Sequence, residues 1–180
     1  MKKPFLKFFT AFICLLLLCG CFSNHKVSNK NILKTDTFLE KPEQLVTIVN
    51  GKEKEIKEES INTIYEPFTN LIANIKYVDT LKTQFDSSKI NEWKKNNTCF
   101  EFRYLQRRCY TGSLDSSSNY FTWGNIEFDA FLFINNSTSL IAIPYLENKY
   151  VGINNLYLLL EFEESNLNNF IKVVENEYLA

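Results

Sequence analysis

The stretch that most constrains the fold is Ile126 to Ile134, IEFDAFLFI, where Ile126, Phe128, Ala130, Leu132 and Ile134 alternate with their neighbours. A period of two places these five side chains on one face of an extended strand and sets Glu127 and Asp129 on the other. Asn135-Asn136 follows and suits a hairpin turn. Ser139 to Ile143 then reads as the returning strand, with Pro144 expected to stop it because proline has no amide to donate.

The neighbouring segments repeat this logic. Gln44 to Val49 is strand-like, and Asn50-Gly51 after it is a strong hairpin signal, because a type I′ turn needs positive φ at both central positions. The return, Lys52 to Ile56, is charged and suits an exposed edge. Thr98 to Leu105 alternates, with Phe100, Phe102 and Tyr104 on one face and Cys99, Glu101 and Arg103 on the other. Gln106 to Arg108 is expected to turn the chain and bring Cys109 back beside Cys99. Thr111 to Asn119 is a polar loop. Tyr120 to Trp123, Tyr150 to Ile153 and Leu156 to Phe162 supply further strands.

Two segments carry a helical period instead. Ser60 is placed to cap the first, in which Ile61, Ile64, Tyr65, Phe68, Leu71, Ile72 and Ile75 share a face, with Pro67 kinking it. Ser165 is placed to cap the second, which carries Leu167, Phe170, Ile171, Val174 and Tyr178. Residues 79–97 are less regular, with Ile90 and Trp93 in a short helix after Ser87-Ser88. Strands joined by tight turns, with helices near the start and at the C-terminus, predict an α+β domain. Its core is a single antiparallel sheet of about five to seven strands with two main helices covering one face.

The first twenty residues do not belong to that domain. Lys2, Lys3 and Lys7 form a positive start without acids, Phe8, Phe9 and Ala11 to Leu18 form an apolar run, and Gly20 precedes Cys21. This is the order of a secretory signal peptide. The run is short for a spanning helix, which needs about 20 apolar residues; a retained membrane segment is the alternative. Leu18-Cys19-Gly20-Cys21 resembles the lipobox of bacterial lipoproteins: an aliphatic residue, a tolerant position, a small residue, then the modified cysteine. Cleavage at Cys19 instead would place Leu18 where a small residue is wanted. The resemblance covers the leader only. It implies a diacylglyceryl group on the Cys21 thiol, cleavage after Gly20 and acylation of the new amino terminus, as with palmitate. Phe22, rather than Asp, follows, which points to the outer membrane where the cell has one and otherwise to the outer face of the cell membrane. Expected organisation is therefore a signal peptide over 1–20, a tether over 21–42 rich in Asn, Lys and Ser, and one domain over 43–180.

Removing twenty of the 180 residues leaves 160, enough for one domain with its own core. The remaining chain has 17 basic and 21 acidic residues, which is not a nucleic-acid-binding balance. The charge is uneven: residues 21–114 hold 15 basic and 12 acidic groups, and residues 115–180 hold 2 and 9. The local basic set of Lys94, Lys95, Arg103, Arg107 and Arg108 fits either a solvated face or an anionic partner. Beyond the leader and Cys21, only Cys99 and Cys109 remain, an even pair expected to form a disulfide in an oxidising compartment. Its loop of about ten residues would contribute roughly 2–3 kcal/mol. Two unpaired, buried thiols are the alternative.

Catalytic signatures are scarce. The lone histidine, His25, lies in the tether, so no Ser–His or Cys–His pair and no His-containing metal site is expected in the domain. Glycine is too sparse for a phosphate loop, and nothing calls for a cofactor. Two acidic groupings remain: Glu127 with Asp129, and Glu161 with Glu163 and Glu164. A glycosidase pair needs its carboxyls roughly 5–10 Å apart in a cleft, a spacing that any acidic strand permits. Tyr104, Tyr110, Tyr120, Trp123, Tyr145 and Tyr150 fall at strand ends or loops, where such residues serve as recognition contacts. A binding face made of Arg103, Arg107, Arg108, Tyr110, Tyr120 and Trp123 is the sharpest expectation. The chain thus reads as a membrane-anchored, non-enzymatic lipoprotein whose domain binds an envelope protein or an anionic partner. The other readings are an immunity-type lipoprotein that blocks a toxin or phage, and an envelope hydrolase using carboxylates.

Overall fold

Asn50 and Gly51, at φ of 53° and 74°, turn the first strand of the domain back on itself as a type I′ hairpin requires. That hairpin, β1 (Gln44–Val49) and β2 (Lys52–Ile56), forms one edge of the sheet. The computed structural model describes residues 39–110, 113–116, 119–122 and 126–180, with side chains for 39–109 and 126–180. After a short 3₁₀ turn come α1 (Ile61–Ala73), β3 (Tyr77–Gln84), α2 (Ser88–Asn96) and β4 (Cys99–Tyr110). Then follow β5 (Ser113–Ser116), β6 (Asn119–Thr122), β7 (Ile126–Asn136), β8 (Ser139–Leu146), β9 (Lys149–Tyr150), β10 (Leu156–Glu161) and α3 (Glu164–Leu179). The main sheet has eight strands in the order β2-β1-β4-β7-β8-β10-β3, with β9 beside β8, and every pairing is antiparallel. β5 and β6 form a separate two-stranded ladder. This is an α+β domain, as the strand and helix patterns predict, with α2 as the short helix expected at Ile90 and Trp93 and with a sheet of eight strands.

The sheet is covered on both faces. On one, α1 and α3 meet Phe100, Phe102, Phe131 and Phe133 in a core centred on Phe68. The Phe68 ring lies 4.9 Å from Phe133, 5.0 Å from Phe102, 5.6 Å from Phe100 and 5.9 Å from Phe170, in tilted and edge-on geometries that suit aromatic quadrupoles. On the other face, Ile90 and Trp93 of α2 pack on Val46, Ile48, Leu132, Ile134, Ile141, Ile143 and Tyr157. β7 is therefore buried from Ala130 to Ile134 on both sides, not on the one face its alternation predicts. Packing begins upstream of Pro42: Leu39 is buried, its carbonyl accepts from the Tyr65 hydroxyl, and the Glu40 carbonyl accepts from the Tyr104 hydroxyl. Among the described residues no helix is long and apolar enough to cross a membrane.

Several local expectations need correction. β4 does not turn at Gln106–Arg108; it continues to Tyr110, and the extra residues are taken up as a bulge between Arg103, opposite Ala130, and Arg108, opposite Phe128. Cys99 and Cys109 consequently stand opposite Ile134 and Glu127. Those partners are seven residues apart on β7, roughly 23 Å at the rise of a strand, far beyond disulfide reach. Both thiols are free, Cys99 buried and Cys109 exposed, so the bridged hairpin does not form. The β7–β8 turn falls on Ser137-Thr138 rather than Asn135-Asn136, with Ser139 Oγ donating to the Asn136 carbonyl at 2.9 Å. Pro144 does not end β8: it stays paired with Phe131 of β7, and its carbonyl accepts from Val151 on the other side, so its missing N–H costs a bond only there, just past the last β8–β9 pair. Ser60 precedes α1 without a side-chain cap bond, and α3 starts at Glu164, which leaves Ser165 inside it.

Candidate functional site

The register of the sheet lines up one row of side chains across five strands. Gln44 of β1 is opposite Arg103 of β4, Arg103 opposite Ala130 of β7, Ala130 opposite Tyr145 of β8, and Tyr145 opposite Tyr150 of β9. Glu101 shares a strand face with Arg103 because the two are two residues apart. This row lies on the α2 face of the sheet but beyond the helix. Nine residues of helix are about 14 Å long, well short of the roughly 36 Å spanned by an eleven-residue strand such as β7. One end of the face is left uncovered, and the smallest side chain of the row, Ala130, sits at its middle. The result is a cleft of about 390 Å³ lined by Gln44, Glu101, Arg103, Tyr104, Asp129, Ala130, Tyr145 and Tyr150.

Its polar centre is Glu101. This carboxylate is opposite Val46 and Leu132 in the interior of the sheet, and its side chain is only 6% exposed. A buried carboxylate is costly unless paired and hydrogen-bonded. Arg103 Nε donates to Oε1 at 2.5 Å and the Tyr150 hydroxyl donates to Oε2 at 2.8 Å. Burial, then the neighbouring Glu101 charge, pushes the Tyr150 hydroxyl well above its usual range, which keeps it a donor. The network runs on to the edge hairpin: Arg103 lies 3.9 Å from Glu53, and Glu53 accepts from Lys94 of α2 at 2.7 Å. The Tyr145 ring stands edge-on to Tyr150, with centroids 5.1 Å apart.

The other two arginines hold the cleft's surroundings in place. Arg107 reaches Asp129 and Glu147 at 3.3 Å and Glu127 at 3.6 Å. Asp129 also accepts from the Glu147 amide at 3.0 Å, at the turn where Glu147 and Asn148 both have positive φ. That tie fixes the β8–β9 turn and, through it, the position of Tyr150. Arg108 pairs with Glu43 at 2.7 Å and Glu40 at 3.5 Å, and its guanidinium lies 5.4 Å from the centroid of the Tyr104 ring.

The structure thus brings Arg103, Tyr104, Tyr145 and Tyr150 together and places Arg107 and Arg108 beside them. In place of an unpaired basic surface, each of the three arginines carries carboxylates. Of the expected acidic pair, Glu127 and Asp129 share Arg107. Tyr110 and Tyr120 lie on β4 and β6 with side chains outside the described set, and Trp123 and Cys21 lie outside the described residues. Cys99 points into the second core, where burial pushes its thiol up to about 12. Glu101, Gln44 and Ala130 were not singled out by sequence reasoning. The one signal for Glu101 was its position as an acid between two phenylalanines in a strand.

A second cleft, of about 290 Å³, lies between α1 and α3, with Asn70, Asn74, Asn166 and Asn169 around Pro67, Leu71, Phe170 and Val173. Among the described residues no cluster of three or more His, Cys, Asp or Glu side chains is placed to hold a metal ion. The chain matches no protein-family model, no curated protein and no solved structure.

Proposed function

We propose that this chain is a lipid-anchored lipoprotein of the bacterial cell envelope whose domain is a non-enzymatic binding module, with the Glu101 cleft as its recognition surface. The observation that carries the binding half is the cleft itself. A buried carboxylate, an arginine and two tyrosines converge on a concave, partly apolar surface, the usual composition of a recognition site. The anchoring half rests on the leader, with its lysine start, short apolar run and lipobox-like Leu18-Cys19-Gly20-Cys21. In this reading the residues between Cys21 and Leu39, where packing begins, space the domain from the lipid. The arginine-held carboxylates serve to fix the shape of the cleft in this reading.

Two measurements test the halves separately. The intact mass of the protein from membranes should equal residues 21–180 plus diacylglyceryl and acyl groups, and Cys21→Ser should leave an unprocessed precursor. An uncut mass in the native protein, or normal processing of the variant, would refute the anchor. A photo-crosslinking residue at Gln44, in the cleft, should capture an envelope component in cells that the same residue at Lys82, on the β3 edge, does not. Equal capture at both positions, or none at Gln44, would remove the cleft as the recognition surface.

A further inference from the structure

Building on the reading of the domain as a binding module, we infer that the ligand of the Glu101 cleft is a neutral saccharide. Each charged side chain that lines the cleft already has a partner of opposite charge. Glu101 is paired with Arg103, and Asp129 with Arg107. A cation entering the cleft would have to compete with Arg103 and Arg107 for these carboxylates, and an anion would meet arginines whose charge is already engaged by carboxylates. An apolar ligand fits no better, because it would strand the polar groups that face the opening.

Hydrogen-bonding capacity remains in excess of what the protein uses. The Gln44 carboxamide and the Tyr145 hydroxyl make no hydrogen bond to another described residue. Arg103 is 39% exposed, with Nε on Glu101 and one terminal nitrogen 3.9 Å from Glu53. A guanidinium has five N–H groups in a planar fork, so donors are left over for a ligand. The site therefore offers a carboxamide that donates and accepts, a phenol that does both, and guanidinium donors, all in one transverse row. Beside them are the Tyr145 and Tyr150 rings, and beneath them the methyl group of Ala130.

A pyranose ring presents the complement of that surface. Its hydroxyls donate and accept at the ring edge, and its C–H groups form an apolar face that stacks on aromatic rings. The cleft volume of about 390 Å³ lies at the small end of the range for ligand sites, which fits one end of a short glycan rather than a long groove. Rigid tyrosines and an arginine whose partner is buried keep the ordering cost of such a contact low.

The test uses the processed full-length lipoprotein in detergent micelles. It is titrated calorimetrically with neutral tetrasaccharides of N-acetylglucosamine, glucose, galactose and mannose, and with tetralysine and inorganic phosphate as charged probes. At least one neutral tetrasaccharide should bind at millimolar concentration or below, and the charged probes should not. Gln44→Ala should weaken that binding roughly two- to tenfold, the loss of one hydrogen bond, and Tyr145→Ala about tenfold or more, as for an aromatic anchor. Tyr145→Phe, which keeps the ring, should fall between native and Tyr145→Ala, and circular dichroism confirms that each variant is folded. Absence of binding by all four sugars would overturn the inference, as would binding indifferent to Gln44 and Tyr145. Tighter binding of tetralysine or phosphate would also overturn it. In each case, cleft-specific crosslinking at Gln44 would still stand or fall separately, which distinguishes a wrong ligand class from a wrong binding surface.

Discussion

Arg103 and Glu101 form an unequal pair, and removing either member should have different consequences. The Glu101 side chain is 6% exposed and that of Arg103 is 39% exposed. Arg103→Ala leaves a carboxylate in the sheet interior with only the Tyr150 hydroxyl on Oε2, at 2.8 Å, to stabilise it. Breaking a buried pair this way costs about 3–5 kcal/mol. The surviving tyrosine bond and the open cleft place the expected loss near the lower end, about 3 kcal/mol. Glu101→Gln leaves Arg103, which reaches water, and a carboxamide oxygen that still accepts from Tyr150 or Arg103. The loss is then only part of one charge-assisted hydrogen bond, which is worth about 1.5–3 kcal/mol in full. Urea unfolding at neutral pH measures both, provided the slope is unchanged, so that a midpoint shift reports stability alone. The expected order is native, then Glu101→Gln, then Arg103→Ala. Equal losses, or a larger loss for Glu101→Gln, would mean that Glu101 is not held as a buried carboxylate, and the account of the cleft would fail with it.

Phe68→Ala should cost about 3–5 kcal/mol in the same assay, because its ring touches four other phenylalanines in the main core; a loss under 1 kcal/mol would contradict that centre. In the native protein, peptide mapping after alkylation should find Cys109 labelled quickly and Cys99 protected until denaturation, since burial pushes the Cys99 thiol up to about 12. Equal labelling, or protection of both until reduction, would contradict the single long β4. The hydrogen bond from Lys94, with the Lys94 and Arg103 charges adding to it, holds the Glu53 carboxyl below its ordinary value of 4.5 despite the opposing effect of burial. A depressed carboxyl stabilises the fold above that value, and its contribution disappears as pH falls through the lower folded value. Thermal melts of Glu53→Gln should therefore approach the native ones at acid pH and fall below them at neutral pH, and a constant offset would refute the coupling.

Much of the fold was legible because its determinants are local. The Asn50-Gly51 turn, the apolar stripe through Phe68 and the terminal stripe through Phe170 each depend on spacing within one element. The misses share a different origin. The turn expected at Gln106–Arg108 rested on polar residues, but Cys109 and Tyr110 find ladder partners in Glu127 and Ile126 of β7. That pairing extends β4 past three residues that no local pattern favours in a strand. Pro144 would stop an isolated strand, yet here its missing amide is on the side away from β7, and the β7 pairing carries β8 past it. The alternation of Ile126 to Ile134 described one buried face because nothing local announces that α1 and α3 bury Phe131 and Phe133 on the other.

The same distinction accounts for the site. Tyr104, Tyr145 and Tyr150 could be picked out as strand-end aromatics, and Arg103, Arg107 and Arg108 as a basic group, from composition and position alone. Their arrangement could not, because it depends on register. Sliding β8 by one residue against β7 would take Tyr145 out of the row with Ala130 and turn its side chain to the opposite face. The row from Gln44 to Tyr150 exists only because four separate pairings agree. The register also decides what the arginines do. It seats Arg107 among Glu127, Asp129 and Glu147, and Arg108 between Glu40 and Glu43, which turns a basic cluster of the sequence into a frame whose arginines are all held by carboxylates. The capture of every arginine of that cluster by carboxylates is thus a property of the tertiary structure. It is the property that shifts the expected ligand from an anion, which the linear charge pattern favours, to a neutral molecule with many hydroxyl groups.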